Sequence, residues 1–471
     1  MSENTDKMQD SLWQLRCHFT WGLLLEDNEM PDLESRVLEQ IEFLDTKNNV
    51  GIHNLLAYVK HLKGQDEQAL QTLREAEDLI QREHADQADM RSLVTWGNYA
   101  WVYHHMGRWA EAQVYLDKVE NTCKKLASPS RYRLESPEMD CEEGWALLKC
   151  GGQYYKRAKA CFEKALAVEP ENPEFSLGFA ITAYRLDYIH EDVISLDPLS
   201  KAVQLNPDNT YIKVLLALKL QDIGQEAEGE HYIEEALSSM SSQTYVFRYA
   251  SKFYRKKGCV DRAIQLLAKA LRAVPHSAFL HHQMGLCYRA KLLQIKKAKD
   301  MQSSGQDREH VDRIVRLVIF HFEFALQKKP TFACALLQLA RMYVEAKDYR
   351  KAEDSYRKLL LMKPYEEQVL VDAHFYYGQF QEFHKNSEVG AIKHYLKVVK
   401  TEKASFLRDK SMKSLEKLAL RKLQRNAFDL EGLSLMGFVY KLKGKVKEAL
   451  VYYEQALHLA AGSKNTGGHD P

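Results

Sequence analysis

Small and aromatic residues recur along the chain at a period of 34 residues, with charged positions between them. The pattern is clearest at 331–364, where two successive segments each place apolar residues on one helical face. These positions are Leu336, Leu339, Ala340, Tyr343, Ala352, Tyr356 and Leu359. Pro330 and Pro364 are themselves 34 residues apart, and Pro364 ends the second segment. The pattern predicts pairs of amphipathic helices that stack as a solenoid.

Eight further segments repeat the pattern. Clear copies lie at 93–126, 244–277 and 430–463, and weaker copies at 52–85, 139–172, 173–207, 210–243 and 365–400. A period of 34 with small, aromatic and proline positions is typical of the tetratricopeptide repeat. The predicted fold is therefore an all-α superhelix of about nine helix pairs, and extra helices at the interruptions of the repeat would close a central tunnel. We expect such a chain to work by presenting a long binding surface.

Two copies are interrupted, and one segment falls outside the period. The sequence RLDYIHEDVISLD follows Tyr184, and a longer insertion at 289–313 follows Tyr288. Both are expected to lengthen a helix or to close a groove. The segment 405–428 is helical in pattern and rich in lysine and arginine, and we expect it to bridge the last two repeats.

Three functional regions are predicted along the chain. Residues 1–240 would form the pocket for the ligand's end, residues 241–400 would line a basic tunnel, and residues 401–471 would form a partner-binding repeat with a frayed tail from about residue 462.

Composition excludes several classes of protein. The 471 residues are 45% hydrophobic and 28% charged, and the net charge of +1 gives no overall basic field. The eight cysteines form no CxxC pair, so neither a zinc site nor a disulfide framework is expected. No metal, cofactor or membrane contact is predicted, and the chain is expected to be cytoplasmic. It lacks a P-loop, a nucleophile elbow and an HExxH motif, so we do not expect an enzyme.

One basic stripe lies on the face of a helix that the repeat does not use for packing. Arg248, Lys252 and Arg255 are spaced i, i+4, i+7. A triplet of this kind is most often a solvated surface. Like charges at this spacing destabilise a helix slightly unless an anion lies against them. Neighbouring repeats add Ile181, Tyr184, Arg185, Tyr211, His282 and Gln283 to the same side. Cations interleaved with aromatic rings suit single-stranded nucleic acid, whereas an acidic peptide would use the charges alone.

Several longer motifs resemble the interferon-induced proteins with tetratricopeptide repeats. They are CHFTW (17–21), LLAYVKHLKGQ (55–65), RSLVTWGNYAWVYHHMGR (91–108), DCEEGWALLKCGG (140–152), NPDNTYIKVLLALKLQ (206–221) and RYASKFYRKKG (248–258). The resemblance runs from about residue 10 to 460 and is closest to the family's first member or that member's near paralogue. It implies an antiviral effector without enzymatic activity. Such a protein captures the 5′ end of single-stranded RNA, either 5′-triphosphate or capped without ribose 2′-O-methylation, and blocks its translation.

The resemblance also implies a role for individual residues. In DCEEGWALLKC, Trp145 would stack on the cap guanine, although its position on the packing side of its helix suggests a core tryptophan. The rest of the cap pocket would be Gln40, Leu44, Thr46, Glu174 and Ile181. Phosphates and riboses would be bound by Arg36, Lys149, Tyr155, Arg185, Tyr211, Arg248, Lys252, Arg255, His282 and Gln283. The loop after Arg185 is shorter than is usual in this branch.

The C-terminal repeat is where the resemblance implies protein partners. Tyr453 and Leu457 match a Tyr-three-residues-Leu element through which members of the family pair with one another. Two residues that only pack the helices of the repeat would show the same spacing. Translation initiation factors are further expected partners. The alternative is a scaffold that binds an acidic peptide, but the expected asparagine partner of Arg248 and Lys252 is missing.

Overall fold

The computed structural model describes residues 2–23, 33–34, 37–38, 49–190, 195–239, 244–299, 306–362, 367–401 and 405–462. Within these ranges every regular element is a helix, so the all-α prediction is confirmed. The chain divides by its internal contacts into two compact units, Met1–Leu293 and Gln294–Pro471. This division does not test the three functional regions predicted above.

The first unit is built from consecutive helices that pack as pairs. They are α1 (Ser2–Leu12), α2 (Val50–Leu62), α3 (Asp66–Glu83), α4 (Ala88–Arg91), α5 (Leu93–His105), α6 (Trp109–Lys125), α7 (Pro137–Cys150), α8 (Tyr155–Val168), α9 (Pro173–His190), α10 (Asp197–Leu205), α11 (Thr210–Asp222), α12 (Glu226–Ser238), α13 (Thr244–Lys257) and α14 (Val260–Ala273). The next helix, α15 (Ala278–Lys299), contains the boundary between the units. Short 3₁₀ turns lie at Ala85–Gln87 and Gly152–Tyr154.

The second unit continues the same pattern. Its helices are α16 (Gln306–Lys328), α17 (Ala333–Glu345), α18 (Tyr349–Met362), α19 (Glu367–Phe383), α20 (Glu388–Val399), α21 (Phe406–Arg425), α22 (Leu430–Leu442) and α23 (Val446–Gly462). All nine predicted copies correspond to helix pairs. The lysine-rich segment is a single helix, α21, between α20 and α22, as the sequence predicts.

Both interruptions lengthen helices, which was one of the two outcomes expected for them. Helix α9 continues past the interrupted position to His190, and α15 extends to Lys299. Residues 191–194 and 300–305 lie outside the described part of the chain. Whether either insertion closes a groove stays a prediction.

The small residues of the repeat allow neighbouring helices to approach an aromatic ring. The Phe162 ring of α8 lies against Gly144 of α7 and Gly178 of α9, where any added Cβ would collide with it. In the second unit the rings of Tyr395 and Tyr453 lie in the same way against Gly378 and Gly437. Close packing of this kind leaves no room for even one extra carbon unless the helices move apart.

In the described ranges, buried apolar residues of the first unit form one cluster between Leu12 and Leu220 and another between Val214 and Cys287, and those of the second unit form a cluster between Val371 and Val439. The largest fully buried side chains include Tyr99, Phe162 and Tyr254 in the first unit and Tyr356 and Tyr395 in the second. These are aromatic positions of the repeat. No helix in the described ranges is both long and apolar enough to cross a membrane.

Candidate functional site

Helix α7 holds Trp145 at the wall of a cavity. The Ser136 hydroxyl caps the helix by accepting a hydrogen bond from the Met139 amide at 3.3 Å, and Pro137 occupies its first turn. Trp145 is half-buried, and its indole lies edge-on to the Phe162 ring, 5.4 Å between ring centres. The side chain therefore packs against α8 and also lines the cavity, while its role in binding a cap stays a prediction.

The cavity beside Trp145 has a volume of about 350 Å³. Its walls come from the start of α2, the region around α4, and helices α7 and α9. The lining includes Asn49, Gly51, His84, Met90, Arg91, Glu138, Glu142, Trp145, Glu169, Glu174 and Phe175. A space of this size with one exposed aromatic face and several polar groups suits a flat heteroaromatic ligand.

Four carboxyl groups give the cavity an acidic character. They belong to Glu138, Glu142, Glu169 and Glu174. Among the described residues that line the cavity, Arg91 is the only lysine or arginine. The Asn54 amide donates a hydrogen bond to Glu142 Oε1 at 2.8 Å, and burial raises the pKa of Glu142 to about 7. Carboxylate oxygens accept hydrogen bonds, and they attract a ring that carries positive charge. These groups therefore match the donor edge of a guanine, above all an N7-methylated one.

The predicted cap-pocket residues are only partly brought together. Trp145 and Glu174 line the same cavity, whereas Ile181 is buried in the core of α9 and is not among the lining residues. Gln40, Leu44 and Thr46 lie outside the described residues, as does Arg36 of the predicted phosphate-binding group. Glu142, Asn54 and Arg91 were not predicted. Glu142 and Asn54 are 88 residues apart, and no sequence pattern joins them.

A cationic cluster begins one turn beyond Trp145. The Lys149 ammonium lies 5.6 Å from the Trp145 ring centre. The carbonyl of the preceding residue, Leu148, accepts a hydrogen bond from Arg185 Nη1 at 3.2 Å. The same nitrogen lies 3.5 Å from the Tyr155 hydroxyl. Lys149, Tyr155 and Arg185, all predicted to bind phosphate, are thus brought together next to the cavity.

Helix α13 carries the basic stripe predicted from its spacing. The Arg248 guanidinium lies 5.4 Å from the Tyr249 ring centre and 4.9 Å from that of Phe279. Burial lowers the pKa of Lys252, as expected where an ammonium faces other cations in a partly enclosed space. Within the described ranges, Arg248 and Arg255 form no salt bridge.

The two lysines that follow the stripe behave differently. Lys256 forms a salt bridge with Asp222, and Lys257 forms one with Glu230 at 2.5 Å. Lys256 is exposed, and Lys257 is half-buried. Their charges are neutralised within the protein, whereas those of Arg248 and Arg255 are available to a ligand.

Helix α15 adds polar groups that face the stripe. Burial, and then the charges of Arg248 and Arg255, lower the pKa of His282 to about 3, so its imidazole is neutral at physiological pH. The Arg255 Nε and Gln283 Oε1 atoms are buried and have no hydrogen-bond partner among the described residues. Buried polar atoms are rarely left unpaired in folded proteins except where a ligand or water completes them. His282 and Gln283 can therefore supply neutral hydrogen bonds beside the cations.

Tyr249 is a component of the cluster that sequence reasoning missed. Its ring centre lies 5.6 Å from that of the predicted residue Tyr211. Burial acts to raise the pKa of Tyr249, but Arg248 and Arg185 outweigh it and hold that pKa below its usual value. Tyr249 follows Arg248 directly and lies one turn after Tyr245. Its place beside the basic stripe could therefore have been predicted from the sequence. Together these residues join α8, α9, α11, α13 and α15 around one set of cations and rings.

The two predicted partner-binding residues of α23 have different surroundings. The Tyr453 ring lies against Gly437 of α22, which is an intramolecular packing role. Leu457 is 69% exposed, and Leu450 and Val446 on the same stripe of the helix are exposed as well. Leu457 is therefore accessible to a partner, whereas Tyr453 mainly supports the helix pair.

Comparison with known proteins identifies the family. A tetratricopeptide repeat model matches residues 335–368. The human protein named antiviral innate immune response effector IFIT1 is 66% identical over 478 residues, which cover 100% of both chains. The chain belongs to the interferon-induced proteins with tetratricopeptide repeats. The resemblance read from the motifs is thus confirmed, including the branch of the first member.

Solved structures of the family carry the same fold. The structure described as the human IFIT1 dimer with m7Gppp-AAAA is 66% identical, with a TM-score of 0.90 over 96% of this chain and 99% of that one. The human IFIT1 dimer with PPP-AAAA is 63% identical, with a TM-score of 0.87 over 96% of this chain and 100% of that one. Those family members are thus described with RNA ligands that differ at their 5′ ends.

Proposed function

We propose that this protein is an antiviral effector that captures the 5′ end of single-stranded RNA and thereby blocks its translation. The observation that carries the proposal is the acidic cavity at Trp145, which adjoins a cluster of cations and tyrosines. The human relatives described with m7Gppp-AAAA and PPP-AAAA support this ligand class. The action is binding rather than catalysis, and the place of action would be the cytoplasm.

The cap guanine would occupy the cavity at Trp145. An N7-methylated guanine carries a positive charge, so it gains both stacking and cation–π energy on an indole. Burial raises the pKa of both Glu142 and Glu174, which favours their protonated forms in the free protein. A cationic guanine would favour the ionised carboxylates, and these would accept hydrogen bonds from the donors on the guanine edge. A cap without the methyl group would keep the stacking and lose the cation–π part.

The phosphates would lie along Lys149, Arg185 and the α13 stripe. Guanidinium groups bind phosphate oxygens through two parallel hydrogen bonds, which suits Arg185, Arg248 and Arg255. A 5′-triphosphate and the triphosphate bridge of a cap could use the same groups. The rings of Tyr155 and Tyr249 beside these cations favour RNA over an acidic peptide, because bases stack on rings and carboxylates do not.

The first riboses would meet neutral donors and acceptors. His282 is uncharged and Gln283 Oε1 is buried and unpaired among the described residues, so both suit a ribose hydroxyl. A 2′-O-methyl group would remove the donor and add bulk in a partly enclosed place. We therefore expect discrimination against RNA whose first ribose is 2′-O-methylated. An RNA 5′ end bound in this way would not be accessible to translation initiation factors.

The test compares matched RNAs that differ only at the 5′ end. Wild-type protein should bind the triphosphate and the cap with unmethylated ribose more tightly than the 2′-O-methylated cap or a 5′-hydroxyl. Trp145→Ala should weaken capped RNA by roughly tenfold or more and triphosphate RNA by much less, since stacking is worth about 1–3 kcal/mol per base. Trp145→Phe, which keeps an aromatic ring against Phe162, should recover part of the loss.

The phosphate cluster is tested with a charge reversal and a matched control. Arg248→Glu should weaken every 5′-phosphorylated RNA and lower the salt dependence of binding, because fewer counterions are released. Lys256→Glu reverses a charge two turns away that is already paired with Asp222, and it should have little effect. Equal affinity of the wild type for all the RNAs would overturn the proposed function.

A further inference from the structure

A second basic surface lies in the C-terminal unit, on helices α20 and α21. Residues 388–425 hold eleven lysines and arginines and four acidic residues, a net charge of +7 in a chain whose total is +1. The site described above lies wholly in the first unit. The proposed capture of RNA 5′ ends therefore does not account for this concentration of charge.

Exposed lysines form one stripe on each of the two helices. On α21 they are Lys410, Lys413 and Lys417, and on α20 and its C-cap they are Lys393, Lys397 and Lys400. Spacings of i+3, i+4 and i+7 place each triplet on one side of its helix. The buried face of α21, which includes Ser411, Leu415 and Leu418, lies opposite its triplet. The two helices pack against each other, with Tyr395 and Leu415 in one core.

Three carboxylates nearby pair with cations outside the stripes. Glu416 pairs with Lys443 at 2.7 Å, Glu388 pairs with Arg425, and Glu382 pairs with Arg421 at 3.2 Å. Asp409 is exposed one turn before Lys413 and is the acidic residue on α21 nearest to the stripe. None of the six stripe lysines forms a salt bridge with any residue in the described ranges. Among the described residues, no salt bridge therefore offsets the repulsion between the like charges of each stripe.

An aromatic ring stands at one end of the α21 stripe. Phe406 is 70% exposed, and the Lys410 ammonium lies 4.3 Å from its ring centre. An exposed ring next to a row of cations can stack a base while the lysines contact phosphates. An acidic protein segment would make no such use of the ring. The stripe from Lys410 to Lys417 is about 10 Å long, which matches roughly two or three consecutive phosphates.

We propose that the exposed lysines of α21, together with those of α20, bind the sugar–phosphate backbone of single-stranded RNA beyond its 5′ end. This contact would not depend on the RNA sequence, because the exposed ammonium groups would bind phosphates and make no hydrogen bonds to base edges. The proposal rests on RNA being the ligand of the 5′-end site, and it adds a second contact that only longer RNA can use.

The test uses two RNAs with the same 5′-triphosphate, one of four nucleotides and one of about thirty unpaired nucleotides. In the triple variant Lys410→Gln/Lys413→Gln/Lys417→Gln, the long RNA should bind roughly tenfold more weakly at ~0.1 M salt. The slope of log affinity against log salt should fall by about 2, since single strands lose about 0.7 per phosphate contact. The four-nucleotide RNA should bind as it does to the wild type.

A matched control removes the same charge elsewhere. Lys156, Lys164 and Lys269 are exposed lysines on α8 and α14, and none belongs to the stripes. Their triple replacement by glutamine should leave the affinity for the long RNA within about twofold. Phe406→Ala should weaken only the long RNA.

Three results would overturn the inference. They are an unchanged affinity of the stripe variant for long RNA, an equal loss for short and long RNA, or an equal loss in the control variant. Failure of the 5′-end proposal would look different. In that case wild-type protein would not distinguish triphosphate from 5′-hydroxyl on the four-nucleotide RNA, and this readout does not involve α21.

Discussion

Single residues show where the repeat pattern is followed and where it is broken. The turn between paired helices needs a positive φ, and Gly107 supplies it at +72°. In the clearest repeat of the sequence, the same turn contains Lys347 at φ +61°. A side chain in this left-handed region costs about 1–2 kcal/mol, so the repeat that best matches the pattern carries a strained turn.

Replacing Lys347 should therefore stabilise its repeat. We expect Lys347→Gly to stabilise α17 and α18 by about 1 kcal/mol. Glycine removes the strain of the left-handed backbone, and the greater conformational entropy of glycine in the unfolded chain cancels part of that gain. Amide hydrogen exchange in these two helices should slow by about fivefold. Gly107→Ala is the matched opposite change, and it should speed exchange in α5 and α6. Faster exchange in Lys347→Gly would contradict this account.

Some site residues were predictable from the sequence, and others were not. The Arg248 stripe follows from helical spacing alone, and Tyr249 could have been added by the same reasoning. The helical spacing alone did not place Trp145 in a cavity, because it puts this residue on the packing side of its helix. The cavity beside Trp145 is formed by α2, α7 and α9 together, which the spacing does not show. Glu142 and Asn54 meet only in three dimensions.

Pairs of helices are held at their distance by aromatic rings against glycines. Gly178→Ala places a Cβ into the Phe162 ring, so α9 must move away from α8. We expect a loss of about 1–3 kcal/mol in unfolding free energy, as in other overpacked cores. Urea unfolding followed by circular dichroism would measure it.

A double-mutant cycle checks the cause of that loss. In a Phe162→Leu background the smaller side chain leaves space, so Gly178→Ala should cost less than it does in the wild type. If the two changes are simply additive, the loss comes from another source. The sequence shows that Gly144 and Gly178 occupy positions where the repeat has small residues. It does not show that the Phe162 ring contacts both glycines.

At the scale of the whole molecule, the exposed apolar stripe of α23 points to pairing with another chain. Val446, Leu450 and Leu457 are 61%, 53% and 69% exposed, and they lie on one side of the helix. The partner predicted for this helix from the motifs is another member of the family, and the exposed stripe is the surface that such a partner would cover.

The pairing is tested by adding one charge on or off the stripe. Leu457→Glu should shift the protein from dimer to monomer in light scattering at micromolar concentration, because a carboxylate would be buried in an apolar contact. Gln455→Glu adds the same charge on an exposed position away from the stripe, and it should leave the mass unchanged. A monomeric wild type, or equal effects of both changes, would rule out this surface for self-association.

The Phe162 ring touches both helices that carry the two halves of the proposed 5′-end site. On one side it meets α7, which holds Trp145, and on the other it meets α9, which holds Arg185. The ring therefore acts as a spacer between the helix of the indole and the helix of the guanidinium. In the proposed function this spacing would decide which phosphate bridge fits, because the bridge of a cap has a fixed number of phosphates. A smaller residue at position 162 would then change the preferred length of the 5′ end without changing any charge.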